Sequence, residues 1–164
     1  MGSSVVRDDL EDVFRATYPR VVSGAARVLG SRDEAEDVAQ EVYVAFGRTS
    51  VPAAEAPAWL AVAAAHTALN HLRTDRRRSA REHLIGDGAG GTVPDVADAV
   101  VARDEHRHVR AALSRLSRTH AVALVLRHSG LSYAEVAAAL DLSPGSVGTT
   151  LRRAESALRK ELEP

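Results

Sequence analysis

The sequence predicts an all-α protein made of two small helical domains joined by a flexible linker. Three observations carry this expectation. Hydrophobic residues make up 45% of the 164-residue chain but aromatics only 4%, and much of the apolar share is alanine, the best helix former. Apolar positions recur at three- and four-residue steps, as in helices with one buried face. Between two such blocks lies IGDGAGGTVPD, residues 85–95, where glycines and a proline break the periodicity. The expected extents are 1–84 for the first domain, 85–103 for the linker and 104–164 for the second domain.

Composition removes several function classes. The absence of cysteine excludes disulfides and thiolate metal sites. No apolar run approaches the roughly 20 residues that span a bilayer. The opening MGSSVVRDDLEDVF lacks the basic-then-apolar layout of a signal peptide. A soluble, cytoplasmic protein without membrane insertion is expected. Of the seven histidines, His106 and His108 are two residues apart and cannot share a helix face, and His66 and His71 are five apart. No carboxylate–histidine motif or glycine-rich phosphate loop occurs. Neither catalytic residues, a metal nor a cofactor is expected.

Net charge is −1, but its distribution is uneven. Residues 8–41 hold nine acidic and four basic side chains, whereas RTDRRRSAR, residues 73–81, holds five arginines against one aspartate. Residues 152–160 add four basic groups against one acid. An acidic front and two basic patches suggest different partners for different faces, although a charge run alone is equally a solvated helix face.

In the first domain, helical pattern runs from Asp8 to Arg81, broken at LGSRDE and GRTSVPAAEAP. Over 33–47, Ala35, Val38, Ala39, Val42 and Phe46 form one buried stripe. Asp37, Gln40, Glu41 and Val44 fall on a neighbouring, outward stripe. Ser31 caps the start, and acids in the first turn suit the helix dipole. The next helix begins near Pro57, a residue favoured in a first turn, and leads into the arginine cluster. Its expected core positions are Trp59, Leu60, Ala63, Ala64, Leu69 and Leu72.

Helical pattern resumes near Val96 and runs to the end with two interruptions. In the second domain, Val109, Ala112, Leu113 and Leu116 mark a helix over 104–116, and RTHAVALVLRHSG reads as the apolar centre. LSYAEVAAALDLSPGSVGTTLRRAESAL, residues 131–158, follows. Ser132 and Glu135 form a capping box, and Val136, Ala137 and Leu140 are the apolar side of a short helix. Ser143 and Pro144 start the next helix, held inward by Val147, Leu151, Ala154 and Leu158. Its opposite side carries Gly145, Thr149, Arg152, Arg153 and Ser156. Two helices about a three-residue turn, the second outwardly polar and basic, read as a helix-turn-helix whose second helix enters the DNA major groove. A helical hairpin in an ordinary bundle is the alternative; the polar outer face favours DNA. Gly148, inside that helix, either is tolerated or serves a close approach, at about 1 kcal/mol relative to alanine.

In their order, RDEAEDVAQEVYVAF, PAWLAVAAAHTALNHLRTDRRR and LSYAEVAAALDLSPGSVGTTLRRAESALR resemble the extracytoplasmic-function sigma factors of the sigma-70 family. The resemblance covers nearly the whole chain apart from the linker and the ends. It implies a sigma-2-like helical bundle and a sigma-4-like helix-turn-helix domain. It further implies an alternative sigma factor that binds core RNA polymerase and directs promoter-specific initiation. Asp37, Gln40 and Glu41 match the family's D-x-x-Q-E, which, with Val44 beside it, would dock on the β′ clamp helices. The loop near 47–56 and the 57–78 helix are similar to the −10 reader, with Asn70, Arg73, Arg76 and Arg77 as DNA contacts. The helix-turn-helix matches the −35 reader, with Ser146, Thr149, Thr150, Arg152 and Arg153. The second domain would also meet the β flap, and an anti-sigma factor is an implied partner. The chain departs from the family pattern at Ala65-His66, where many members have Arg-Asn, and at Gly148-Thr149-Thr150, where Lys-Ser-Arg is common. A stand-alone helix-turn-helix regulator is the alternative function, but no dimerisation helix is evident and the acidic 33–41 surface would have no role in it.

Overall fold

A computed structural model describes residues 6–85 and 97–164, with the side chains of 79–80, 82–85 and 97–102 outside that description. Among the described residues the chain is α-helical without strands. The order is α1 (Leu10–Leu29), α2 (Arg32–Gly47), a 3₁₀ turn (Ala53–Glu55), α3 (Ala56–Ile85), α4 (Ala97–Arg115), α5 (Arg118–His128), α6 (Tyr133–Leu140) and α7 (Pro144–Leu162).

Helices α1, α2 and α3 pack together because each carries one apolar face. Val22, Ala25 and Val28 from α1 meet Val38, Val42 and Phe46 from α2 and Leu60, Ala64 and Leu69 from α3. Phe46, Leu60 and Leu69 are fully buried; such a side chain contributes about 1.5–3 kcal/mol through its removal from water. All five residues of the expected α2 stripe are buried, and Ser31 caps α2 by accepting from the Glu34 amide at 3.3 Å. One polar pair interrupts the apolar core. Thr17 donates to the Val13 carbonyl at 2.6 Å, and its hydroxyl lies 2.5 Å from Tyr43 Oη. No periodicity announces that pair.

In α3, Leu60, Ala64 and Leu69 are buried as expected, while Trp59, Ala63 and Leu72 are half-buried. Ala65 and Ala68 are buried as well. An alanine-rich helix is apolar on most sides, so its pattern does not identify the inward face.

The second domain forms around α5, whose Val122 and Leu126 are fully buried against Val136 of α6 and Val147 of α7. Helical structure here starts at Ala97, next to Val96, where the helical pattern is expected to resume, and within the stretch 85–103 assigned to the linker. Past Pro94 the sequence ADAVVA contains no glycine or proline, so nothing in it stops a helix. Residues 86–96, the glycine-rich part, lie outside the described residues. Val109, expected in the core, is 41% exposed, whereas Ala112, Leu113 and Leu116 are buried.

The two domains are packed against each other. Arg27 of α1 donates to the His128 carbonyl at 2.8 Å. Arg110 of α4 lies against Gly30, whose left-handed φ of 71° ends α1. Burial is the first cause of the lowered Arg110 pKa; the neighbouring Arg107 adds to it and Glu34 opposes it.

Candidate docking and nucleic-acid interfaces

On α2, Asp37, Gln40, Glu41 and Val44 are all exposed along one face, with Val44 58% accessible. The opposite face is fully buried, so the ridge is rigidly placed. Its carboxylates and amide can accept hydrogen bonds from guanidinium groups of a partner, and paired carboxylate–arginine contacts are the strong kind. Glu41 also reaches back to α3, with Oε2 3.5 Å from His71 Nε2.

The α3 patch is less open than the sequence implies. Asn70, Arg76 and Arg77 are exposed and Arg73 is half-buried, yet three of the four meet the second domain. Arg73 donates to the Leu116 carbonyl at 3.0 Å and Arg76 to the Ser114 carbonyl at 3.5 Å. Arg118 donates to Asn70 Oδ1 and, at 3.3 Å, to the His66 carbonyl. Burial, followed by the charges of Arg118, Arg77 and Arg76, lowers the Arg73 pKa. Burial and then Arg118 likewise lower the His66 pKa, which disfavours its charged form. Of the Ala65-His66 pair, Ala65 is a core residue 3% exposed and has almost no surface to offer DNA.

The helix-turn-helix is α6 and α7. Both halves of the capping box form: Glu135 N donates to Ser132 Oγ at 3.2 Å, and Ser132 N donates to Glu135 Oε2 at 2.7 Å. Asp141, with φ 54°, closes α6 in a left-handed conformation, and Leu142 N donates to the Ala137 carbonyl at 2.9 Å. A short polar side chain such as aspartate tolerates that conformation better than most. Ser143 is the residue before α7, but its hydroxyl meets Ser146 Oγ at 2.6 Å instead of capping an amide. Val147, Leu151 and Ala154 are buried and Leu158 is half-buried, turning Ser146, Arg152 and Arg153 outward as exposed groups. Thr149 and Thr150 are half-buried; Thr149 Oγ1 accepts from Arg152 at 3.2 Å.

Arg118, Arg127 and Tyr133 also stand at these surfaces, although the sequence did not single them out as site residues. Arg118 sits among the α3 arginines, and His66 takes its contact. Tyr133 at the start of α6 is 46% exposed, and Arg127 lies 5.2 Å from the centre of its ring. The adjacent charge of Arg118 and the aromatic after the Ser132 cap were visible in sequence; their positions depend on tertiary packing. Among the described residues no group of histidines and carboxylates could hold a metal ion, and no helix is long and apolar enough to cross a membrane.

Comparison with known proteins matches two separate stretches of the chain. A family model described as Sigma-70 region 2 matches residues 13–78, and one described as Sigma-70, region 4 matches residues 106–158. The chain is 30% identical to RNA polymerase sigma factor YlaC of Bacillus subtilis, across 95% of this chain and 93% of that protein. It is 31% identical to ECF RNA polymerase sigma factor SigK of Mycobacterium ulcerans, across 96% and 87% of the two chains. Identity to ECF RNA polymerase sigma factor EcfG of Rhodopseudomonas palustris is 31%, across 92% and 83%.

Proposed function

Because the chain belongs to the extracytoplasmic-function sigma factors of the sigma-70 family, we propose that its exposed surfaces divide the work of promoter selection as follows. Residues 1–84 dock on core polymerase and engage the −10 element, and residues 104–164 engage the −35 element. The ridge of Asp37, Gln40, Glu41 and Val44 pairs with basic side chains on the β′ clamp helices, and the second domain meets the β flap. Asn70, Arg73, Arg76 and Arg77 hold the separated promoter strand through its phosphates while a base is drawn out of the stack. Ser146, Thr149, Thr150, Arg152 and Arg153 present α7 to the major groove, where arginine reads guanine edges or grips phosphate. The protein makes no bond itself; polymerase supplies the chemistry.

One observation supports the reading: an acidic ridge on α2 and a polar, basic face of α7 are both exposed while the opposite face of each helix is buried. That arrangement has a use when two kinds of partner are held together. An inhibitory anti-sigma protein is the further partner, acting in the cytoplasm on the free factor. Run-off transcription with core polymerase on genomic fragments tests the function. Selected start sites should appear only when the protein is added; equal output without it would contradict the reading. Purification from idle cells without any bound inhibitor would count against the anti-sigma partner.

A further inference from the structure

Where α3 passes the corner between α4 and α5, several positive charges converge. Arg73, Arg76 and Arg77 line one wall of a cleft of about 610 Å³, with Arg118 and Ser117 opposite, and no carboxylate lines it among the described residues. Like charges at such range repel, and the lowered Arg73 pKa, caused by burial and by its three arginine neighbours, records this. The carbonyls of Ser114 and Leu116, at the negative end of α4, offset part of the repulsion. A guanidinium carries five N–H donors, so one carbonyl each leaves most donors of Arg73 and Arg76 for another acceptor. The start of α5 also faces this space. Ser117 accepts from the His120 amide at 3.3 Å, and the positive end of a helix favours anions.

We propose that this cleft binds a free oligophosphate, with the size and charge of inorganic triphosphate or a nucleoside polyphosphate, clamped between the α3 arginines and Arg118. Planar guanidinium forks suit phosphate oxygens better than single point charges do. Arginines on both walls suit a chain of phosphates better than one. A DNA backbone offers the same oxygens, but arginines converging on one space from both walls favour a compact anion that can be held from two sides at once. Bound there, it ties the domains together and keeps Asn70, Arg73 and Arg76 from the promoter strand. That consequence rests on the function proposed above; the site itself does not.

Titration calorimetry of the full chain with inorganic triphosphate, at low salt and with sulfate as a control of equal ionic strength, is the test. Saturable binding is expected, weakened about tenfold by Arg118→Ala or Arg77→Ala, the loss expected for a charged hydrogen bond. Arg15→Ala, remote on α1, should leave it unchanged. Arg77 is exposed, so its removal tests the site without threatening the core, and a melting curve verifies the fold of each variant. No saturable heat, or binding that survives both cleft substitutions, overturns the proposal. A single-stranded oligonucleotide separates the two phosphate sources. If it binds with Arg118 dependence and triphosphate does not bind, the cleft serves backbone phosphate and the proposal falls. If triphosphate binds through Arg118 yet never displaces the oligonucleotide, the site stands and the assignment of α3 to the −10 strand falls.

Discussion

Gly148 shows how a single position can be read for its cost. A Cβ built there would lie 3.7 Å from Arg152 and 3.8 Å from Tyr133, ordinary contact distances. No close approach requires the missing side chain, so its conformational entropy is lost without a packing gain. Gly148→Ala is expected to stabilise the second domain by about 1 kcal/mol, read as a higher midpoint in thermal unfolding; an unchanged or lower midpoint would show a constraint that spacing does not reveal. Other residues were less legible. Tyr43, which no apolar stripe singles out, is 5% exposed; Thr17 meets its hydroxyl, and burial raises its pKa against the opposing effect of that hydrogen bond. Val109 fits an apolar stripe and is nonetheless exposed, because it borders an open pocket shared with Val28, Leu124 and Leu158 instead of packing into the core.

At the scale of elements, sequence signals succeeded where the determinant is local. The α2 stripe, the Ser31 cap and the α6 capping box each depend on residues within a few positions of one another, and all form. The eight-residue α6 is too short to be stable alone, so its cap and the burial of Val136 hold it. Ser132→Ala should cost about 1 kcal/mol, measured by denaturant unfolding; no loss would mean that packing alone fixes the turn. The phase of α3 was not legible. Alanine leaves the inward face of that helix open, whereas α4 starts at Ala97, one residue from where its pattern resumes.

The whole molecule adds contacts that no periodicity encodes. Arginine donating to a distant carbonyl leaves no spacing in the chain, so Arg73 with Leu116, Arg76 with Ser114 and Arg118 with His66 were invisible until the domains were placed together. His66 makes this contact sensitive to acid. Its pKa is lowered in the packed form, by burial first and Arg118 second, and returns towards histidine's ordinary value of about 6.5 once exposed. The open form therefore binds protons more readily. The contact is fully favourable above that ordinary value and weakens as pH falls from it towards the depressed one. Small-angle scattering should show a larger radius of gyration on acidification through this range, and His66→Phe should abolish the change. A radius that stays constant in the parent protein would contradict the coupling.

Promoter selection as proposed depends first on the acidic ridge of α2. The most direct measurement is the affinity of labelled protein for core RNA polymerase, by fluorescence anisotropy, for the parent and for Asp37→Arg combined with Glu41→Arg. Both side chains are exposed, so helicity and melting should be preserved. The account predicts Kd raised at least about tenfold, the equivalent of roughly 1.4 kcal/mol. An unchanged Kd in the folded variant would contradict it.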